Sequence, residues 1–458
     1  MDEKTGSDVE SVIPGDETAV GVEPPRVQLW RLRAWLLGYP SAVLSKLGDV
    51  IFELTLIVWI ASELGRGTQW APMAVSGVLI ATAVPTLVAG PIAGTLVDRW
   101  DRRTVLLWSS VVQAVSVGSL VPMIWFLSDS IPLWVTLVWM YGAVVVSNVG
   151  AQFYQQARTL MVVSTIPESV QTQAFAYQQG AYSVISIVGP PLSAPLLFTL
   201  GAHWAVAVNA LTFVIAGFLL WRVRWKSAPV EESRGQGFWA ATWVGLKAVF
   251  GNPVLRTIML AMSVVAVASA ILNAMLVFFV QWSLGQPASF LGVLGMCYAG
   301  GALAGAALAP SVQKRMSATN VFVSALVLSG LLVVAFALSS NTVLAMGLLF
   351  VTGLPLGVVN VLLTPVVIAA VDRPTLGRAV AAMNFLPTAA SMAGAALVGA
   401  FASSSLLDSF EFSVLGLQVG PYSALIGAAG LIMFAAAVVA APTLLRAGAE
   451  ATSAKANS

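Results

Sequence analysis

Twelve apolar runs, each about as long as a membrane is thick, limit what this chain can fold into. A helix needs roughly 20 predominantly apolar residues to cross about 30 Å of hydrocarbon. Such runs occur near residues 41–64, 71–97, 104–127, 132–156, 173–199 and 203–224, and again near 254–282, 288–311, 319–339, 342–370, 377–402 and 421–445. They are continuous rather than alternating in polarity, which excludes the strands of a membrane barrel. Only 9% of the 458 residues are charged and 58% are hydrophobic, whereas a soluble domain carries about 25% charge on a surface that must face water. The expectation is an all-α integral membrane protein with twelve transmembrane helices.

The charges that remain organise these runs. A polar stretch, 225–252, holds Lys226, Glu231, Glu232, Arg234 and Lys247 and parts the chain into two sets of six. Of the 22 basic residues, Arg66 alone falls in a loop assigned to the outside, and Lys46 lies within the first run; the others sit in the tails and at the run ends assigned to the cytoplasm. Basic residues accumulate on the cytoplasmic side, so both termini are expected there, in a plasma (inner) membrane. The expected division is a disordered cytoplasmic tail over 1–40, a six-helix bundle over 41–224, a cytoplasmic linker over 225–252, a second bundle over 253–446 and a short tail over 447–458. The first forty residues are polar and acidic, unlike a cleavable signal peptide.

Several function classes drop out. A net charge of +2 is too small to suggest nucleic acid as a partner. One cysteine, Cys297, and one histidine, His203, leave no disulfide framework and no Cys/His metal cluster. No Gly-x-x-x-x-Gly-Lys-Ser/Thr loop is present, so ATP is not expected to drive the chain. Serine-nucleophile constellations are absent as well, so neither an enzyme nor a cofactor is expected, and the chain reads as a monomer.

The second run ends with Gly90-Pro91 and continues Gly94-x-x-x-Asp98-Arg99-x-x-Arg102-Arg103. Gly94 suits close helix approach, and Asp98 suits a cap on the next helix or pairing with the arginines, a charge latch between the halves. Gly300, Gly301 and Gly305 repeat the glycine face towards the end of the eighth run, followed by Lys314 and Arg315, but Ala309 stands where Asp98 would align. Parallel six-helix repeats about an axis along the membrane normal are one plan for alternating-access transporters.

This loop resembles the signature of the major facilitator superfamily. Leu47-Gly48-Asp49, Ala157-Arg158 after the fourth run, and Gly245-Leu246 through Asn252-Pro253 make the chain similar to the branch that holds macrolide-efflux proteins and the enterobactin exporter. The resemblance implies two pseudo-symmetric bundles and export of small amphipathic drugs or natural products, macrolide-like or siderophore-like, driven by proton exchange. Gly189-Pro190 in the fifth run is similar to the antiporter motif of drug exporters. Ile185 stands where that motif has glycine, and Ser193-Ala194 replace a glycine pair, so a plain helix kink is an equal reading.

Lys46, Asp49 and Glu53 follow an i, i+3, i+7 spacing and share one face of the first helix. Charge inside a membrane is costly unless it lines water or finds a partner. A carboxylate poised between an apolar setting and a nearby ammonium is suited to loading and releasing a proton. The competing reading is that Lys46 and Asp49 neutralise each other and hold the helix in place. Uncharged polar residues inside the runs include Asn148, Gln152, Gln178, Gln179, Tyr182, Asn273, Gln281, Tyr298, Asn360 and Asn384, and interhelical hydrogen bonding is the competing role for any one of them. By the family's architecture these, with Phe278 and its apolar neighbours, are expected along a central cavity that takes varied ligands. An importer of the same fold remains open, since fold does not set direction, as does a non-transporting scramblase or sensor.

Overall fold

The structure, a computed structural model, describes residues 29–97, 99–127, 130–195, 201–223, 247, 249–313, 316–370, 376–404, 412–414 and 417–456. Twelve long helices dominate them. The first six are α1 (Arg33–Trp59), α2 (Ala71–Val97), α3 (Arg102–Gly118), α4 (Leu133–Thr165), α5 (Glu168–Pro195) and α6 (Ala202–Arg222). The second six are α7 (Pro253–Trp282), α8 (Leu291–Gln313), α9 (Ala318–Ala337), α10 (Thr342–Ala370), α11 (Leu376–Ala402) and α12 (Pro421–Ala456). Single π turns prolong α1 over Ile60–Leu64 and the third run over Met123–Leu127. Ten of the helical segments are long and apolar enough to cross a bilayer. The two that are not are α1, which carries Arg33, Lys46, Asp49 and Glu53, and the glutamine-rich α5, although they reach 27 and 28 residues.

The helix map departs from the sequence expectations at its edges. Helix α1 begins at Arg33 rather than 41, because Leu29 and Trp35 bury against Val162, Ile166 and Ala174 and hold the start of the helix to α4 and α5. Helix α4 runs on to Thr165, nine residues beyond the apolar run. Its polar extension carries Arg158 inward instead of into a loop, so Arg158 is only 5% exposed. Helix α12 continues through Ala456, beyond the expected span end. A short hairpin, β1 (Phe412–Val414) with β2 (Leu417–Val419), joins α11 to α12. The tail up to residue 28 and nearly all of the linker lie outside the described residues.

Packing repeats itself. In the first half α1 packs on α5 and α6, α2 on α4, and α3 on α4 and α6. In the second half α7 packs on α11 and α12, α8 on α10, and α9 on α10 and α12. Each pair is the other shifted by six helices. Across the halves α2 meets α11 and α5 meets α8, contacts that the same shift exchanges. The two halves are thus related by a pseudo-two-fold axis.

The cores locate the opening between them. Leu56, Ile60, Val75, Val78 and Met140 of the first half share one core with Met275, Phe279, Phe336, Leu349 and Ile426 of the second. These residues come from late in α1, α7 and α9 and early in α2, α4, α10 and α12, so the shared core sits at the end of the bundle away from the termini. At the terminal end the halves keep separate cores, one around Leu106, Tyr154 and Leu220 and one around Ile258, Phe322 and Met433. The halves therefore close on each other at the far end and part towards the termini.

Candidate functional site

Glycine sets the rotation of α1. A Cβ on Gly48 would run into the side chains of Asn209 and Thr212 on α6, so that face must press on α6. Gly189 plays a similar part on α5, where a Cβ would stand 2.6 Å from Val50 Cγ1. With those faces committed, Lys46, Asp49 and Glu53 line a cavity of 410 Å³ within the first half. Lys46 is exposed to it, and the two carboxylates are half-buried. None of the three forms an ion pair within 4.0 Å among the described residues. Direct Lys46–Asp49 pairing is therefore not what holds α1.

The opposite wall is amide-rich. Asn148, Gln152 and Gln155 of α4 face α1 across the cavity, with Tyr154 and Tyr182 nearer the terminal end. Gln152 Nε2 donates to Thr86 Oγ1 on α2 at 3.3 Å, and Asn148 Nδ2 donates to the Val144 carbonyl at 2.9 Å. Gln113 on α3 reaches the same space while donating to the Ser109 carbonyl at 3.1 Å. Sequence reasoning missed Gln113, Gln155, Thr82 and Thr86; a period-of-3.6 plot of α2, α3 and α4 against the face of Gln152 was the available signal. Tyr154 is tied down through Ser41, whose Oγ lies 3.1 Å from the Tyr154 hydroxyl and donates to the Ala216 carbonyl at 3.1 Å.

Thr82 also borders a second cavity, of 280 Å³, between the halves. Asn273 of α7 and Met392 of α11 line it with small residues of α2 and α7. The remaining expected cavity residues lie elsewhere. Phe278 is 3% exposed and stacks on Tyr422 at 5.3 Å within the shared core; its position one turn beyond Ala274 turns it away from the opening. Gln179 and Asn360 are exposed and line neither cavity. The side chains of Asn384 and Pro190 lie outside the described residues, and α5 runs unbroken through Gly189-Pro190.

The loop after α2, where the latch is expected, is described only in part. Asp98 lies outside the described residues. The cap of α3 is Asp101, whose carboxylate accepts from Thr104 N at 2.9 Å and Thr104 Oγ1 at 2.7 Å. Arg103 turns towards its own half and donates to the Trp221 carbonyl at the end of α6, at 3.0 Å. Arg99 is exposed and Arg102 half-buried. A Cβ on Gly94 would meet nothing within 4 Å, and one on Gly90 would stand 3.2 Å from Gln152 Oε1. The close glycine packing is instead in the second half, where Gly301 and Gly305 lie against the Phe350 and Leu354 carbonyls of α10. Among the described residues no group of histidine, cysteine and acidic side chains is placed to hold a metal ion.

A family model described as Major Facilitator Superfamily matches residues 39–395. Macrolide efflux protein A of Streptococcus pyogenes is 25% identical over 195 residues, 43% of this chain and 45% of that protein. A protein of the same name from Enterococcus faecalis is 27% identical over 141 residues, 31% of this chain and 42% of its own. The match thus spans less than half the length of these curated relatives. Among solved structures, a bacterial homologue of the iron transporter ferroportin in an inward-facing state superposes with TM-score 0.67 at 15% identity, over 92% of this chain and 100% of its own. A nucleoside transporter gives 0.64 at 14% identity, over 90% and 99%. At such identities these two likenesses concern the fold alone.

Proposed function

From a chain that belongs to the Major Facilitator Superfamily and is a multi-pass membrane transporter, we propose an exporter of small amphipathic molecules that works by proton antiport with alternating access. All twelve helices cross the membrane in this reading, α1 and α5 included, because their polar groups face cavity or protein rather than lipid. Both termini are cytoplasmic, and the halves are drawn open towards the cytoplasm. The observation that carries the reading is the cavity wall formed by Lys46, Asp49 and Glu53, three ionisable groups at membrane depth and free of mutual ion pairs.

Glu53 and Asp49 load protons from outside, and their release to the cytoplasmic side is coupled to substrate entering the same cavity. The amide wall of Asn148, Gln152 and Gln155 meets the polar part of the ligand. The cavity between the halves, with Asn273 and Met392, takes an apolar part. Relatives named for macrolide efflux support the export direction. The nucleoside transporter among the fold neighbours leaves import by the same machinery as the second reading.

The test is reconstitution in liposomes with a pH electrode or trapped pH dye, over a panel of lipophilic cations, macrolides and neutral dyes. Substrate added on the cytoplasmic face should release protons, and an imposed inward proton gradient should drive uphill export. Glu53→Gln should bring uphill export down to that of protein-free vesicles while ligand binding persists, since the amide keeps the shape but not the titration. Normal uphill export by both Glu53→Gln and Asp49→Asn would move the proton path away from α1.

A further inference from the structure

We infer that the first-half cavity takes a compact zwitterion, bound with its carboxylate on Lys46 and its ammonium on Glu53 and Asp49. The inference rests on that cavity being the ligand site, and it names the chemistry of the ligand's polar head. Lys46, Asp49 and Glu53 alone carry charge among the described residues that line the cavity. They stand in that order along α1, which begins at Arg33 and ends at Trp59. At a rise of roughly 1.5 Å per residue, Asp49 lies about 5 Å and Glu53 about 10 Å beyond Lys46 along the helix axis. The positive group is therefore nearer the end where the halves part, and the two negative groups are deeper.

Size sets a second limit. At about 30 Å³ for each water-sized atom, the cavity's 410 Å³ hold roughly 14 non-hydrogen atoms. An extended dipeptide spans about 7 Å, between the two separations along α1. A molecule of that size thus carries its charges the right distance apart. Asn148, Gln152 and Gln155 on the facing wall offer both donors and acceptors, as an amide in the ligand requires. Phe52, Leu56, Val78 and Val144 close the deep end, where an apolar side chain of the ligand is sheltered.

Charge complementarity ranks the ligands. A lone cation meets two carboxylates but must first pass the Lys46 ammonium. A lone anion meets Lys46 and is then opposed by both carboxylates. A neutral molecule of the same shape gains from none of the three. Only a zwitterion is matched at both ends, and it adds no net charge to a site at membrane depth, where charge is costly.

Isothermal titration of the purified full chain at neutral pH, with four forms of alanylphenylalanine, tests this without any transport measurement. The free dipeptide is a zwitterion, its C-terminal amide a cation, its N-acetyl form an anion, and the doubly capped form neutral. The free dipeptide should bind the wild type about tenfold more tightly than the amide, the worth of one charge-assisted contact. Both acetylated forms should bind more weakly still. Lys46→Met should erase the preference for the free dipeptide over its amide. Glu53→Gln should instead narrow the gap between the free dipeptide and its N-acetyl form, while Lys46 still holds the carboxylate. An amide that binds the wild type as tightly as the free dipeptide, or no binding of the free dipeptide at millimolar concentration, overturns the inference. Both outcomes are read on the wild type, so a variant that fails to fold does not disable the test. Either failure would leave proton-coupled export of lipophilic cations standing, and a protein that binds in this order without exporting would remove the transport reading alone.

Discussion

Two acidic residues stand three positions apart in the loop after α2. Asp98 carries the family signature, yet Asp101 stands immediately before the first helical residue and caps α3 with both Thr104 contacts. Only the N-cap position places a side-chain oxygen over the first free backbone N–H groups, and the sequence did not reveal that α3 starts at Arg102 rather than 104. Asp101→Ala should therefore cost about 1 kcal/mol, read as a lower Tm with the helix content retained. Unchanged Tm would mean that the loop, not the cap, holds that helix end. Lys46, Asp49 and Glu53 were legible as a set, because spacing on a helix is arithmetic, but their separation from one another was not. With no direct Lys46–Asp49 pair, Asp49→Asn still removes the nearest opposing charge on the cavity wall. It should lower expression, and Lys46→Met with Asp49→Asn should restore it without restoring proton-coupled export. Expression of the single variant at wild-type level would show that the two charges are balanced by solvent in the cavity. Arg158 was misread as a loop residue for a plain reason: Gln155, Gln156 and Thr159 around it look like the exit from a membrane, although Arg158 itself is buried against α5.

Helix boundaries within the apolar runs were legible, and for α2 and α10 the expected limits agree with the structure to the residue. Helix rotation was not. The glycine face of α2 and its repeat in α8 look equivalent in sequence, yet they do different work. On α8, Gly301 and Gly305 meet α10 backbone carbonyls, while Gly353 and Gly357 of α10 meet the α8 backbone in return. That seam is closed, and no cavity opens along it among those described. Between α2 and α4 the spacing is kept by side chains instead: Tyr141 donates to the Ala74 carbonyl at 2.8 Å and Gln152 bonds Thr86. The space left between those two helices is part of the charged cavity. Gly305→Val should consequently overpack the α8–α10 seam and destabilise the second half by about 1–3 kcal/mol or more. Gly94→Val, with open space around it, should leave the stability within about 0.5 kcal/mol of the wild type. Comparing the two by thermal unfolding checks the assignment, and equal losses would contradict it. The same uncertainty of rotation explains Phe278. An aromatic residue close to Asn273 looked like cavity wall, whereas Phe278 stacks on Tyr422 within the shared core.

At the scale of the whole molecule, the two-fold repeat was legible from the linker and the doubled glycine face, but the conformation was not, since one sequence must serve every state of a cycle. The structure supplies that state through its cores, joined at the far end and separate at the terminal end. The far end is held shut where α2 meets α11. There the Met73 backbone N–H donates to Ser403 Oγ at 3.0 Å, and a Cβ on Gly399 would stand 2.5 Å from Ser76 Cβ. Alternating access requires this contact to break, because the apolar core beneath it blocks any path through that end. Met73→Cys with Ser403→Cys, in a Cys297→Ser background, puts two thiols within reach of a cross-link. Oxidised protein should bind ligand from the terminal side with near-normal affinity but show no turnover, and reduction should restore export to the level of the unlinked variant. Each single cysteine variant should transport whether oxidised or reduced. If the cross-linked protein, verified by gel shift or mass spectrometry, still exports at the normal rate, the halves do not separate at α2 and α11. The opening would then have to run through the symmetry-related contact of α5 with α8.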